Sequence, residues 1–191
     1  MLLIKAVILS LTISSTNAHM LLKNSPNFGF TENTLSTKPD VDLDAPVSKA
    51  QFSCKGYHKD HLRGAGGGVA TWAAGSTQAF SVSGGGAPHG DSSYQISLSY
   101  DNGETFKVMK SFTGNCLSTD TNRECSFPVP RDAAGGPAVF AWTWYNKQSN
   151  REMYIYGIAA VTITNSGSGI GNLFPRIFVA GIGERALLLI V

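Results

Sequence analysis

Short runs in which apolar and polar residues alternate are the feature that most constrains the fold of this 191-residue chain. An apolar side chain at every second position is what a strand with one buried face requires. One such run leads into Asn102-Gly103, the dipeptide that most strongly indicates a two-residue hairpin turn. Alternation, or a β-branched and aromatic composition, predicts strands at residues 78–82, 94–100, 105–112, 138–144 and 154–164.

The strand pattern and the near absence of a 3.6-residue period predict an all-β protein. Strands of this length between Gly and Pro turns favour an immunoglobulin/fibronectin-like antiparallel β-sandwich with long loops. The hydrophobic fraction of 42% argues against a disordered chain, and a formal net charge of +2 gives no reason to expect nucleic acid. No stretch of 18 apolar residues occurs, so we expect no membrane span. We also expect the protein to be a monomer.

The first eighteen residues resemble a signal peptide. A short basic start precedes the apolar run at residues 6–13, and Thr16 and Ala18 place small residues at the −3 and −1 positions of a cleavage site. We therefore expect a secreted protein whose first mature residue is His19; a buried N-terminal helix or strand is the alternative. The predicted organisation is a signal peptide at 1–18, a β-sandwich domain at 19–165, and a linker with an unassigned apolar C-terminal extension, outside the sandwich, at 166–191.

Three cysteines allow one disulfide bond and leave one thiol without a partner. Cys116 and Cys125 flank a polar turn and are the predicted pair, with Cys54 left over. Closing so short a loop stabilises by roughly 2.5–3 kcal/mol on the chain-entropy model.

Two of the four histidines suggest a metal site. A mature N-terminal His19 offers its α-amine and ring nitrogen to one metal ion, and a second imidazole completes a set of three nitrogens. His89 fits that role because it lies in a glycine-rich loop directly after Pro88, which stiffens the position. Copper(II) favours tetragonal nitrogen sites, so the pair predicts a histidine brace that binds one copper per chain. The alternatives are an ordinary N-terminus and an ordinary loop histidine.

Other histidine and aromatic residues are expected to take no direct part in the chemistry. His58 and His61 lie in a stretch rich in charged residues and are expected to be solvent-exposed. Phe140, Trp142 and Trp144 alternate along one predicted strand and are expected to fill the core, rather than to form a surface on which carbohydrate stacks.

Motifs in a fixed order along the chain resemble the chitin-active lytic polysaccharide monooxygenases of auxiliary activity family eleven. The resemblance begins at the predicted mature N-terminus and covers about residues 19–164. The residues that carry it are His19-Met20-Leu21-Leu22-Lys23-Asn24-Ser25-Pro26-Asn27-Phe28, Cys54-Lys55-Gly56-Tyr57, Val69-Ala70-Thr71-Trp72, Ala87-Pro88-His89-Gly90, Ser97-Leu98-Ser99-Tyr100-Asp101, Phe140-Ala141-Trp142-Thr143-Trp144-Tyr145-Asn146 and Asn150-Arg151-Glu152-Met153-Tyr154.

The resemblance implies a role for each residue of the metal site. His19 and His89 match the copper ligands, Tyr154 matches the tyrosine on the axial side of the copper, and Ala87 matches a small residue that crowds the opposite axial position. Glu152 matches an acid near the place where oxygen or peroxide reacts. Residues i and i+2 of a strand share a face, so Glu152 and Tyr154 can both point at the metal.

The implied activity is oxidative cleavage of glycosidic bonds in chitin, an insoluble polysaccharide. It requires copper, an external electron donor, and oxygen or hydrogen peroxide as co-substrate. Tyr57 matches a surface loop near the active face and is expected to touch substrate. The alternatives are a non-catalytic histidine-brace copper-binding protein and a carbohydrate-binding β-sandwich module.

Overall fold

The structure is a computed structural model that describes residues 21–22, 47–56, 58, 68–83, 92–114, 116, 124–146, 153–165, 167–171, 173–179 and 182. Regular structure in these residues is almost entirely β. The strands are β1 (Leu21–Leu22), β2 (Ala70–Ala73), β3 (Thr77–Ser83), β4 (Ser93–Ser99), β5 (Lys107–Thr113), β6 (Glu124–Pro128), β7 (Gly136–Tyr145) and β8 (Met153–Thr164), and two 3-10 helices lie at Lys49–Gln51 and Cys54–Gly56. Within the described residues no helix has the length and apolar character needed to cross a membrane.

Two sheets face each other. One has the strand order β1-β3-β6, and the other has the order β2-β8-β7-β4-β5. Aromatic rings from the smaller sheet contact rings from the larger one, as Phe80 of β3 does with Trp142 of β7 at a centroid distance of 5.7 Å. The predicted β-sandwich is therefore confirmed. Among the described strands, edge strand β2 departs from antiparallel pairing, since it runs parallel to β8 with Ala70 opposite Val161.

The core between the sheets is rich in aromatic side chains. Its largest fully buried side chains include Trp142, Trp144, Tyr94, Phe80, Phe127 and Phe140. Tyr94 stacks on Trp142 at 5.9 Å, and Trp142 stacks on Trp144 at 6.4 Å. Phe140, Trp142 and Trp144 are each at most 1% exposed, which confirms their predicted core role.

The predicted turn at Asn102-Gly103 lies in the connection between β4 and β5, and both residues have positive φ angles, 60° and 84°. The expectation of a two-residue hairpin with a return strand from residue 105 is wrong, because the last pair of β4 with β5 is Leu98 with Lys107 and residues 100–106 form the connection. The carboxylate of Asp101 accepts hydrogen bonds from the Thr105 backbone N–H at 2.8 Å and from the Ser99 hydroxyl at 2.7 Å. Burial raises the pKa of Asp101, but these hydrogen bonds outweigh it and the pKa is lowered overall. The turn is thus stabilised by an ionised side chain.

The predicted disulfide bond between Cys116 and Cys125 is present, with a Cα–Cα distance of 5.9 Å. Cys125 belongs to β6, where it pairs with Phe80, and Cys116 follows the end of β5. Because β5 and β6 belong to different sheets, the bond links the two layers of the sandwich. The side chain of Cys54 lies outside the described residues, so its predicted lack of a partner stays a prediction.

A second apolar cluster covers the outer face of the larger sheet. It comprises Phe106, Val139, Ala141, Ile158 and Ala160, all buried, with Ile177 packed against them. Val139 and Ala141 alternate along β7 with residues that face the inner core, so both faces of this strand are covered. The cover on the outer face is supplied in part by the C-terminal segment of the chain.

The expectation that the chain beyond residue 165 stands apart from the sandwich is wrong for its described part. Gly167 donates a backbone hydrogen bond to Ala133, and the Val108 N–H donates to the carbonyl of Pro175. The physical reason is that both the unpaired edge of β5 and the apolar outer face require a partner. The division of the chain at residues 165 and 166 itself stays a prediction.

Candidate functional site

The start of β1 and the end of β3 lie side by side. Leu21 pairs with Ser83 and Leu22 pairs with Val82 in antiparallel register, and Leu22 and Val82 are buried in the core. The chain before Leu21 and the chain after Ser83 therefore leave the sheet at the same end. In the sequence, His19 precedes Leu21 by two residues, and His89 lies in the segment that joins β3 to β4.

Three strand ends of the larger sheet also meet. Ser93 at the start of β4 pairs with Tyr145 at the end of β7, and Tyr145 pairs with Met153 at the start of β8. One step further along, Trp144 lies between Tyr94 and Tyr154. Glu152 directly precedes β8 in the sequence.

The two groups of strand ends belong to the same end of the sandwich. Phe80 precedes the last residue of β3 by three positions, and Trp142, whose ring it contacts, precedes the last residue of β7 by three positions. Phe127, which lies opposite Gln78 of β3, contacts Phe140 of β7, so β3 and β7 run in the same direction and end at a similar level. β1, β4 and β8 begin at this end of the sandwich, and β3 and β7 end there. We call it the candidate site end.

The predicted site residues fall mostly outside the described part of the chain. The backbone of Tyr154 is described as part of β8, opposite Trp144, while its side chain is not. The predicted site residues outside the described residues are His19, Tyr57, Ala87, His89 and Glu152. Their roles at the candidate site end stay predictions.

The buried polar residues described at the candidate site end are uncharged. Ser92, Thr143 and Asn146 are buried there. Burial raises the pKa of the Tyr145 phenol well above its usual value, and a hydrogen bond from Thr143 offsets this only in part, so Tyr145 stays neutral. Sequence reasoning gave no role to Tyr145, although its polar hydroxyl in a strand of buried aromatics is a signal that it needs a hydrogen-bond partner.

A small pocket lies at the opposite end of the sandwich. It has a volume of about 200 Å³ and is lined in part by Ser53, His58, Gly103 and Glu104. The Ser53 hydroxyl donates to the carbonyl of Gly103 at 2.6 Å, in the turn after β4. Because β4 runs for seven residues from the candidate site end, the pocket is about 20 Å from it.

The expectation that His58 is solvent-exposed is wrong, because only 6% of its surface is exposed. A Cβ atom added to Gly103 would lie 3.1 Å from the His58 ring, so the imidazole packs tightly against the turn. This contact joins residues far apart in the sequence, and the charged stretch around His58 carries no sign of it. His61 lies outside the described residues.

The described residues contain no group of three or more His, Cys, Asp or Glu side chains that could hold a metal ion. The segments that leave the candidate site end contain two imidazoles in the sequence, those of His19 and His89, and cleavage after Ala18 would add an N-terminal amine. Such a set of nitrogen donors suits copper(II).

Comparison with known proteins identifies relatives of the chain. It is 38% identical, over 96% of its length and 84% of the relative's, to the AA11 family lytic polysaccharide monooxygenase A of Aspergillus fumigatus. It is 31% identical to an AA11 family lytic polysaccharide monooxygenase of Aspergillus oryzae over 51% of this chain, and 33% identical to an AA11 family lytic polysaccharide monooxygenase B of A. fumigatus over 44%. Those two matches span 30% and 23% of the relatives' own lengths.

Two further comparisons add little. No family model matches the chain. The solved structure of Cel61B from Hypocrea jecorina, a glycoside hydrolase family 61 member, is 18% identical, with a TM-score of 0.39 over 51% of this chain and 52% of that one. A likeness of this extent carries no argument about the site.

The similarity to the first relative extends over nearly the whole chain. It shows that the chain is a lytic polysaccharide monooxygenase, a copper-dependent oxidoreductase. Within that class, the chain belongs to auxiliary activity family eleven. The resemblance predicted from its motifs is thereby confirmed. Membership favours an enzyme over a non-catalytic copper-binding protein or a carbohydrate-binding module.

Proposed function

We propose that the mature enzyme is secreted, begins at His19, and binds one copper ion through the α-amine and ring of His19 and the ring of His89. The observation that carries this proposal is the shared position of the start of β1 and the end of β3, where Leu21 pairs with Ser83. The two chain segments that leave the sheet there contain the two histidines. When bound, copper supplies the redox chemistry that activates oxygen or hydrogen peroxide with electrons from an external donor.

The remaining residues of the proposed site act around the metal. Tyr154 would approach the copper with its phenol oxygen, and the small side chain of Ala87 would limit the space beside the metal. Glu152 holds and exchanges a proton next to the reacting oxygen. An acid in this position suits general acid–base assistance, which contributes typically about 10²–10⁴-fold to a rate.

The proposed substrate is chitin, and the proposed active form is a monomer. The names of the relatives support polysaccharide as the substrate class, and the motifs resemble those of chitin-active enzymes. Tyr57 contacts the chain of sugars beside the copper. The buried aromatic stack of Tyr94, Trp142 and Trp144 provides a rigid support behind the proposed site, as a site that must hold its geometry requires.

The decisive experiment compares two insoluble polysaccharides. Copper-loaded protein, processed to His19, is incubated with chitin or with cellulose, in the presence of ascorbate and limited peroxide. Mass spectrometry then detects oxidised oligosaccharides. We expect oxidised products from chitin, dependent on copper and lost in His89→Ala. Oxidised products from cellulose alone would refute the proposed substrate, and a fully active His89→Ala variant would refute the proposed ligands.

A further inference from the structure

The C-terminal segment Leu173 to Val179, here called the strap, runs along the edge of the larger sheet. Its Pro175 carbonyl accepts a hydrogen bond from the Val108 N–H, and its Ile177 N–H donates to the carbonyl of Phe106. These bonds flank an antiparallel bridge between Lys107 and Arg176. The strap therefore supplies a short additional strand beside β5.

The strap then reaches the candidate site end through three groups. The Phe178 N–H donates to Gln95 Oε1 at 2.9 Å. The single hydrogen of the Tyr145 hydroxyl has two acceptors within reach, the Phe178 carbonyl at 2.5 Å and Gln95 Oε1 at 2.8 Å. The rings of Tyr145 and Phe178 also pack at 5.5 Å. Strap, β4 and β7 are thus joined at one point.

Tyr145 also pairs with the start of β8, close to an irregularity in the pairing of β7 with β8. A register shift separates Trp142, which pairs with Gly157, from Thr143, which pairs with Ile155. β8 has one more residue than β7 at this point, which is a β-bulge, and bulges interrupt the ladder and re-aim side chains. Beyond the bulge, three pairs of described residues join β7 to β8, and the last is Tyr145 with Met153.

We infer that Tyr145, held by Gln95 and the strap, is a positioning residue. It fixes the start of β8, which three residue pairs join to β7 and from which Glu152 and Tyr154 act on the copper. Met153, the residue that Tyr145 pairs with, stands between these two. The inference rests on the proposed function. It gives residues 173–179 a role in the enzyme's site, although they lie outside the predicted sandwich domain.

Burial supports the inference by keeping the hydroxyl protonated. The raised pKa of Tyr145 means that the phenol retains the hydrogen it donates at neutral and alkaline pH. The clasp of Tyr145, Gln95 and Phe178 is therefore expected to hold throughout the working range of the enzyme.

The test compares Tyr145→Phe with Tyr100→Phe as a matched control. The Tyr100 hydroxyl also donates to a backbone carbonyl, that of Ala134 at 2.9 Å, but it follows the opposite end of β4. Hydrogen exchange of the amides at residues 153–155 is measured in the copper-free full-length mature protein, and the spin-resonance spectrum is measured after copper loading. Gln95→Leu is a second variant that removes the acceptor of the Phe178 N–H.

We expect amide hydrogen exchange at residues 153–155 to be about fivefold to tenfold faster in Tyr145→Phe, which is the factor that the loss of one hydrogen bond corresponds to. We also expect the copper spin-resonance spectrum of this variant to change. Gln95→Leu should behave alike, and Tyr100→Phe should leave both measurements at the wild-type values. Faster exchange with an unchanged spectrum would mean a purely structural clasp and would overturn the inference, as would unchanged exchange. A wild-type chain that binds no copper would overturn the proposed function as well.

Discussion

Leu21 pairs with Ser83 across β1 and β3, and this pair lies at the end of the sandwich where β4 and β8 begin and β7 ends. A strand of only two residues gains little from its own hydrogen bonds. β1 is held because Leu22 is buried in the core, with only 1% of its surface exposed. β1 is thereby anchored beside the end of β3, and a copper site made by the segments before β1 and after β3 would depend on that anchor.

The free N-terminus is the first testable part of the proposed brace. Extending the chain by one Met before His19 converts the α-amine into an amide, which cannot coordinate copper in the same way. We expect tight one-to-one binding, measured by calorimetry, to be lost in the extended protein and restored when the extra residue is removed. Equal affinity in the two forms would exclude the α-amine as a ligand.

Copper affinity is expected to fall as the pH is lowered from neutral to mildly acidic. The imidazoles and the α-amine have ordinary pKa values near 6.5 and about 7.7–8.0, and protons compete with the metal for all three nitrogens. The sign follows because each ligand must lose its proton to bind. Copper titrations at a series of pH values test this prediction, and an affinity that does not change with pH would contradict these donors.

The roles of Glu152 and Tyr154 can be separated by conservative substitutions. Glu152→Gln keeps the volume of the side chain but removes its charge and exchangeable proton, so release of oxidised sugar should fall by about 10²–10⁴-fold while one copper still binds. Tyr154→Phe should change the copper spectrum with a smaller loss of activity. Product release is measured by mass spectrometry and copper stoichiometry by calorimetry. Full activity of Glu152→Gln would show that the acid takes no part in the reaction.

Most strands could be predicted because alternation is a local property of the sequence. β1, β2 and β6 were not predicted, since their two, four and five residues carry too few alternations. Their strand state depends on pairing with β3, β8 and β3, respectively. The burial of His58 depends on a turn far along the chain and has no local signature. The candidate copper ligands were predicted from chemistry and motif order, and the structure adds the position of the strands that flank them.

The disulfide bond between Cys116 and Cys125 should contribute to stability without affecting the metal. Replacing both cysteines by Ser is expected to lower the free energy of unfolding by about 2.5–3 kcal/mol, the chain-entropy value for so short a loop. Denaturant titration measures the loss, and copper affinity serves as the control because Cys125 lies opposite Phe80, within the core. A variant as stable as the wild type would show that the link between the sheets is redundant.

Gly167 tests whether the chain after β8 is a loose linker or a packed part of the fold. A Cβ atom at this position would collide with the backbone of Asp132, whereas a Cβ at Gly171 would have nothing within 4 Å. Both residues lie between β8 and the strap, so they form a matched pair. The backbone of Asp132 cannot move aside as a flexible side chain can, so Gly167→Ala is expected to lower the free energy of unfolding by about 3 kcal/mol, at the upper end of overpacking costs.

The control variant is Gly171→Ala, whose free energy of unfolding should lie within about 0.5 kcal/mol of the wild-type value, as is usual for exposed substitutions. Thermal and denaturant unfolding of the two variants decides the matter, and equal stability would show that residues 167–171 do not pack on the sandwich in solution.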